Sequence, residues 1–184
     1  MIRIENVIKI CKDNYSEEDY KYHILLVVKF SLMLAKKLNA NLEVVEVSAY
    51  LHDIGRAKNI TENEHHIIGA KETRKILKII GYNEDFIKKV EHCVLAHRGK
   101  EINRETLEAE IISCADAMSH FDAFLDLFGV FLKTNDTLEE TVLEIEQKIE
   151  RDWNNKLTLL EAKEIVKDKY EAIMLLIKSM KKNF

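Results

Sequence analysis

"AYLHDIGRAKN", residues 49–59, sets a histidine beside an aspartate at the end of an apolar run. Leu51, His52, Asp53, Ile54 and Gly55 follow in order, with Arg56 and Lys58 just beyond. Gly55 reads as the stop of a helix that ends near Asp53. The doublet then admits two readings: a polar helix end, or an imidazole and a carboxylate that bind a metal together.

Outward from this stretch the chain reads as a string of helices. Upstream, residues 2–12 form a short first helix. Ser16, followed by Glu17, Glu18 and Asp19, is an N-cap with an acidic first turn. It opens a strongly apolar helix to about Leu38, with His23 in its first two turns. Residues 54–63 form a polar loop, and Thr61 or Asn63 caps the next helix, "EHHIIGAKETRKILKII", which ends at Gly81. Asn83 caps "EDFIKKVEHCVLAH". One long apolar helix then runs from about Leu107 to Leu132, with Phe121, Phe124, Phe128 and Phe131 as core residues at helical spacing. Asn135, Asp136 and Thr137 make a break and a cap, and two amphipathic helices, about 138–152 and 158–181, follow. The expectation is an all-α bundle of roughly eight helices without a sheet.

Composition agrees. The 184 residues contain no Pro and only five Gly, too few breakers for an all-β fold. No repeat, low-complexity segment or linker divides the chain, so residues 1–184 read as a single domain. The net charge of −4 leaves no basic footprint, which argues against long nucleic acid as a partner. Cys11, Cys93 and Cys114 are odd in number and widely spaced, which fits reduced thiols in the cytoplasm. The N-terminus lacks the uninterrupted apolar stretch of a signal peptide. "ILLVVKFSLMLA" is interrupted by Lys29 and too short to span a bilayer, so no membrane association is expected.

All seven histidines fall between residues 23 and 120. Asp116 sits inside "EIISCADAMSHFDAFLDLF", otherwise apolar enough to be core. A buried carboxylate needs a partner, and a cation is one. His23, His52 with Asp53, His65, His97 and Asp116 lie on different predicted helices or helix ends, and a bundle core can gather them. Such a set suits borderline-to-hard divalent ions: Mn, Fe, Co, Ni or Zn, with Mg also admissible.

The order His23, His52-Asp53, Asp116 resembles the signature of the HD-domain metal-dependent phosphohydrolase superfamily. "LHDIG" is similar to its HDIG subgroup, "EHHIIGA" to its H-x-x-x-G-A segment, "LAHRG" to its third histidine segment and "ADAMS" to the segment with the last ligand. The matching region covers about residues 19–130, and residues 135–184 read as a helical extension packed on the same domain. The chain departs from the family pattern twice. Arg56 replaces the usual Lys after HDIG, and Arg98 replaces the usual second His after His97.

The resemblance implies a helical HD-domain bundle and a hydrolase. One metal would be held by His23, His52, Asp53 and Asp116. A second would share Asp53 with His65 and His97. The metal lowers the pKa of a bound water, and the hydroxide attacks phosphorus in line. Asp53 is thereby the implied catalytic residue, and the substrate a small phosphorylated compound, a nucleotide first. Arg56, Lys58 and Arg98 would neutralise phosphate charge, or else cap their helix ends. His120, one turn after Asp116, lines the pocket, acts as an acid, or simply packs. His66 faces solvent or stands behind the ligands, unless it takes the place of His65. His92, five residues before His97, is structural or stands behind the ligands. The alternatives are a non-catalytic nucleotide- or metal-binding signalling module, a diiron HD-type oxygenase, and a ribonuclease. Apolar faces on the last two helices suggest a homodimer.

Overall fold

A computed structural model describes residues 2–58, 64–99 and 102–184, with Ile2, Lys58 and Asn183 described by their backbone alone. Thr61 and Asn63, the two candidate caps, lie outside the described residues. The elements are α1 (Ile2–Asn14), α2 (Glu17–Asp19), a π-helical segment (Tyr20–Ile24), α3 (Leu25–Leu38), α4 (Leu42–Leu51), a 3-10 turn (Arg56–Lys58), α5 (His65–Ile80) and α6 (Glu84–Ala96). They continue with α7 (Leu107–Asp122), α8 (Phe124–Thr134), α9 (Leu138–Arg151), a second π-helical segment (Asp152–Lys156), α10 (Leu160–Met180) and a last 3-10 turn (Lys181–Asn183). No strand occurs among the described residues, and α2, the first π segment and α3 form one run. The fold is all-α.

Local chemistry sets the helix ends. Ser16 Oγ, Asn41 Oδ1, Asn83 Oδ1, Thr106 Oγ1 and Thr137 Oγ1 each accept a backbone N–H of the helix they open. At Thr137 the Glu140 side chain returns the bond, completing a capping box. Gly81 ends α5 at φ 89°, where a side chain would be strained.

α7 is the central helix, packed on α3, α4, α6 and α10. Residues Ile111 to Ser119 are all buried, so this helix is covered on every side and Asp116 is its one charged core residue. Val27 and Leu34 of α3 and Val44, Val47 and Leu51 of α4 complete the core around it. Each such side chain contributes about 1.5–3 kcal/mol of burial free energy.

Three expectations are corrected. The helix from Leu107 does not reach Leu132: it breaks at Ala123 (φ −100°, ψ 36°). The fully buried α7 there gives way to α8, which buries only Phe124 and packs on α9. Of the four phenylalanines, Phe121 and Phe124 are core, while Phe128 and Phe131 are half-buried and Phe131 bounds a cavity. Gly55 is not a left-handed helix stop, since the positive-φ residues described are Asn39, Gly81 and Gly99. Its role is steric. A Cβ on Gly55 would lie 2.0 Å from the His65 carbonyl oxygen, and one on Gly69 would lie 3.3 Å from the Gly55 nitrogen. The two glycines let the turn after Asp53 press against the first turns of α5.

Candidate metal centre

The site forms where the end of α4, the first turn of α5, the end of α6, the middle of α7 and both π segments converge. A π turn adds a residue to the helical ring and re-aims the side chains it carries. His23 lies on the first such segment, and Asp152 and Lys156 on the second.

Asp53 is central, and its two oxygens face different ways. Oδ2 lies 3.4 Å from His23 Nε2, 3.7 Å from His52 Nε2 and 3.1 Å from Arg56 Nε. Oδ1 lies 3.4 Å from both His65 Nε2 and His97 Nε2. Asp116 Oδ1 stands 3.5 Å from His23 Nε2, 4.0 Å from His52 Nε2 and 3.7 Å from His120 Nε2. Its Oδ2 is ion-paired with Lys156. His23, His52, His65, His97, Asp53 and Asp116 are thus brought together.

Hydrogen bonds on the far side of three rings fix their tautomers. His52 Nδ1 lies 2.8 Å from the Ala49 carbonyl and His97 Nδ1 2.6 Å from that of Val94, so each donates Nδ1–H. Ser119 Oγ spends its proton on the Asp116 carbonyl at 2.7 Å. It must therefore accept from His23 Nδ1 at 3.0 Å. The ε-nitrogens of all three rings are left as lone pairs aimed inward. Burial keeps His52 neutral, pushed down to about 3.

The ε-nitrogens crowd one another. His23 Nε2 is 3.1 Å from His52 Nε2, and His65 Nε2 is 3.4 Å from His97 Nε2. Asp53 Oδ1, between the second pair, is buried without a hydrogen-bond donor among the described residues. Inward lone pairs around a carboxylate want a cation. Neutral imidazoles held by carbonyls on their outer nitrogens are the donor set of a divalent metal site. His23, His52 and Asp53 could hold one ion, joined by Asp116; Asp53, His65 and His97 could hold another.

The neighbouring charges are matched. Burial pushes the Asp53 carboxyl up, but Arg56 and the adjacent histidines outweigh it and hold it well below the usual carboxylate range. Burial opposes ionisation of Asp116 likewise, and Lys156 overcomes it first. Arg56 and Arg98 line the cavity beside the histidines. His66 is buried, not solvent-facing, and its Nδ1 lies 3.4 Å from Arg98 Nη1. His92 accepts the Glu105 backbone N–H at 3.1 Å, which is a structural role.

Sequence reasoning missed Lys148, Asp152 and Lys156. Asp152 Oδ2 accepts from His120 Nδ1 at 2.8 Å and is ion-paired with Lys148, whose Nζ is also 2.8 Å from His120 Nδ1. Burial, then Lys148, pushes His120 down to about 4, and burial pushes Lys148 down to about 8. Trp153 anchors this segment by stacking on Tyr170 at 4.2 Å and edging Phe121 at 6.4 Å. A signal existed. The buried stripe Val142, Ile145, Ile149 continues at helical spacing to Asp152 and Lys156, so two charged residues occupy core positions.

The site opens into a cavity of about 860 Å³, within the range of small-molecule pockets. Leu127, Val130 and Phe131 of α8 supply an apolar wall, and Tyr15 and Tyr22 stand near the histidines. No helix among the described residues is long and apolar enough to cross a membrane.

Comparison with known proteins gives a consistent picture. The family model of the HD domain matches residues 20–120. Ribonuclease Y of Fusobacterium nucleatum is 31% identical over 121 residues, 64% of this chain and 22% of that protein. Ribonuclease Y of Geobacter metallireducens is 30% identical over 131 residues, 70% of this chain and 23% of that protein. The chain therefore spans less than a quarter of these relatives' length. The crystal structure of Bacillus subtilis YpgQ in complex with ADP superposes with a TM-score of 0.75 at 17% identity, covering 100% of this chain and 97% of that one. A predicted HD superfamily hydrolase from an uncultured Thermotogales bacterium gives 0.59 at 20% identity, over 82% and 92% of the two chains.

Proposed function

The chain belongs to the HD-domain family, and we propose that it is a metal-dependent phosphohydrolase acting on a small phosphorylated compound, in the first place a nucleotide. The observation that carries this reading is the division of Asp53: its two oxygens face two separate sets of ε-nitrogens. His23, His52, Asp53 and Asp116 would hold one divalent ion, and His65 and His97 with Asp53 would hold a second. When bound, the metal lowers the pKa of a water and polarises a phosphoryl oxygen.

The chain's own residues do the rest. His52 and His97 stay oriented, each with Nε2 turned into the site, because backbone carbonyls hold their outer nitrogens. Arg56 keeps Asp53 ionised and stands at the cavity to meet phosphate charge, as does Arg98, while the side chain of Lys58, the third basic candidate, lies outside the described residues. His120, fixed by Asp152, borders the cavity beside Asp116. The α8 wall offers an apolar surface to a base. ADP bound to YpgQ, a protein of similar fold, supports a nucleotide. Residues 135–184 pack on the same domain on this reading, supported by the contacts of α10 and the second π segment with α7 and of α9 with α8 and α10. Exposed Leu160, Leu175 and Leu176 support pairing with a second copy, which sedimentation tests.

Phosphate and pyrophosphate release from nucleoside mono-, di- and triphosphates, with Mn, Co, Ni or Mg added, tests the reading. Turnover by wild type and none by Asp53→Ala is the expected result. Metal binding without any turnover would favour a binding module. The ribonuclease Y relatives favour a second reading, cleavage of RNA by the same centre. The net charge of −4 weighs against it, and a labelled oligoribonucleotide in the same assay separates the two.

A further inference from the structure

Two buried carboxylates, Asp53 and Asp116, line the cavity, a third, Asp152, stands behind His120, and each already has its own cation. Arg56 Nε is 3.1 Å from Asp53, Lys156 pairs with Asp116, and Lys148 pairs with Asp152. Their formal charges cancel before any metal enters. A divalent ion then brings two uncompensated charges into a pocket where Asp53 and Asp116 are each 6% exposed. Burying such an excess is costly, and an anion that enters with the metal relieves it.

Lys156 is the cation placed to link the two events. It bounds the cavity and is itself buried. It holds Asp116 Oδ2, leaving Oδ1 to the three histidine ε-nitrogens. Its backbone carbonyl is fixed separately, by Arg104 at 3.2 Å, so its place does not depend on Asp116. It also lies outside residues 20–120, the span of the matched domain.

We propose that Lys156 makes metal and phosphate binding interdependent: its ammonium balances Asp116 in the metal-free site, opposes a metal entering alone, and turns to a phosphoryl oxygen when phosphate enters with the metal. The inference rests on the metal-dependent reading above. It deepens that reading by naming a substrate carrying at least two negative charges at the reacting end.

The test is Mn2+ affinity, read from the free-ion electron paramagnetic resonance signal, with and without inorganic phosphate below its precipitation limit. In wild type, phosphate tightens Mn2+ binding by about tenfold, within the usual range of coupling between sites. Lys156→Gln keeps a donor for Asp116 Oδ2 and loses the charge. It binds Mn2+ alone about tenfold tighter than wild type, and phosphate adds less. Equal Mn2+ affinity in the two proteins, or the same phosphate effect in both, overturns the inference and leaves the metal reading standing. No Mn2+ binding by wild type overturns the metal reading and this inference together. If circular dichroism shows Lys156→Gln unfolded, wild type alone decides: an affinity indifferent to phosphate refutes the linkage.

Discussion

Gly55→Ala should damage both the fold and the site. A Cβ at position 55 would sit 2.0 Å from the His65 carbonyl and 2.9 Å from the Gly69 nitrogen. Both neighbours are backbone atoms, so no side chain can swing aside. The turn and α5 must part by about 1 Å, and the packing they share is lost. The cost should reach the upper end of overpacking, about 3 kcal/mol. For a domain of this size that is a fall in Tm of roughly 6–12 °C. The same displacement draws His65 away from Asp53 Oδ1, now 3.4 Å distant, and weakens metal uptake there. Two other glycines calibrate the measurement. Gly81→Ala meets open space but keeps φ 89°, so it should cost about 1–2 kcal/mol. Gly129→Ala also meets open space, within α8, and should stabilise by about 0.5–1 kcal/mol. Thermal melts of the three variants with and without Mn2+ give the order. If Gly55→Ala melts within about 2 °C of wild type, the steric account of this turn is wrong.

Further outcomes follow from the caps, the titrating groups and the shared carboxylate. Thr137→Ala removes the capping box of α9 and should cost about 1 kcal/mol, read in the same melts; no change would mean that packing alone holds this helix. In metal-free protein, His52 is pushed down to about 3 and His120 to about 4, burial being the first cause in each. Unfolded, both titrate near pH 6.5, so the unfolded chain binds more protons below that pH. Stability should be full above about pH 6.5 and fall towards pH 4, by up to about 1.4 kcal/mol per pH unit for each residue. A Tm in chelator that stays flat from pH 7 to pH 5 would contradict this. His97→Ala should lower Mn2+ uptake at saturation from two ions per chain to one, because the set on Asp53 Oδ2 is left intact; an unchanged stoichiometry would contradict the division of Asp53.

Much of this molecule is legible in its sequence, for a physical reason. Helix periodicity and caps are local, so Ser16, Asn83 and Thr137 announce their helices. The histidines and aspartates are few and sit beside apolar runs, where an unpartnered charge is costly. What stayed hidden depends on neighbours far along the chain. Ala123 is a good helix former, and nothing in its own chemistry shows that α7 is buried on all sides while α8 is not. Gly55 resembles a helix stop because its constraint comes from Gly69 and His65. Lys148 resembles a solvated lysine until Asp152 and His120 are placed beside it. His66 looks like a surface residue until Arg98 is placed beside it.

The central claim is that these histidines and aspartates hold a metal. Elemental mass spectrometry of purified wild type and of Asp53→Ala tests it most directly. The account predicts at least one divalent transition metal per wild-type chain, retained through gel filtration, and none in the variant. A wild-type protein that carries no metal and takes up none of Mn, Fe, Co, Ni or Zn would contradict it.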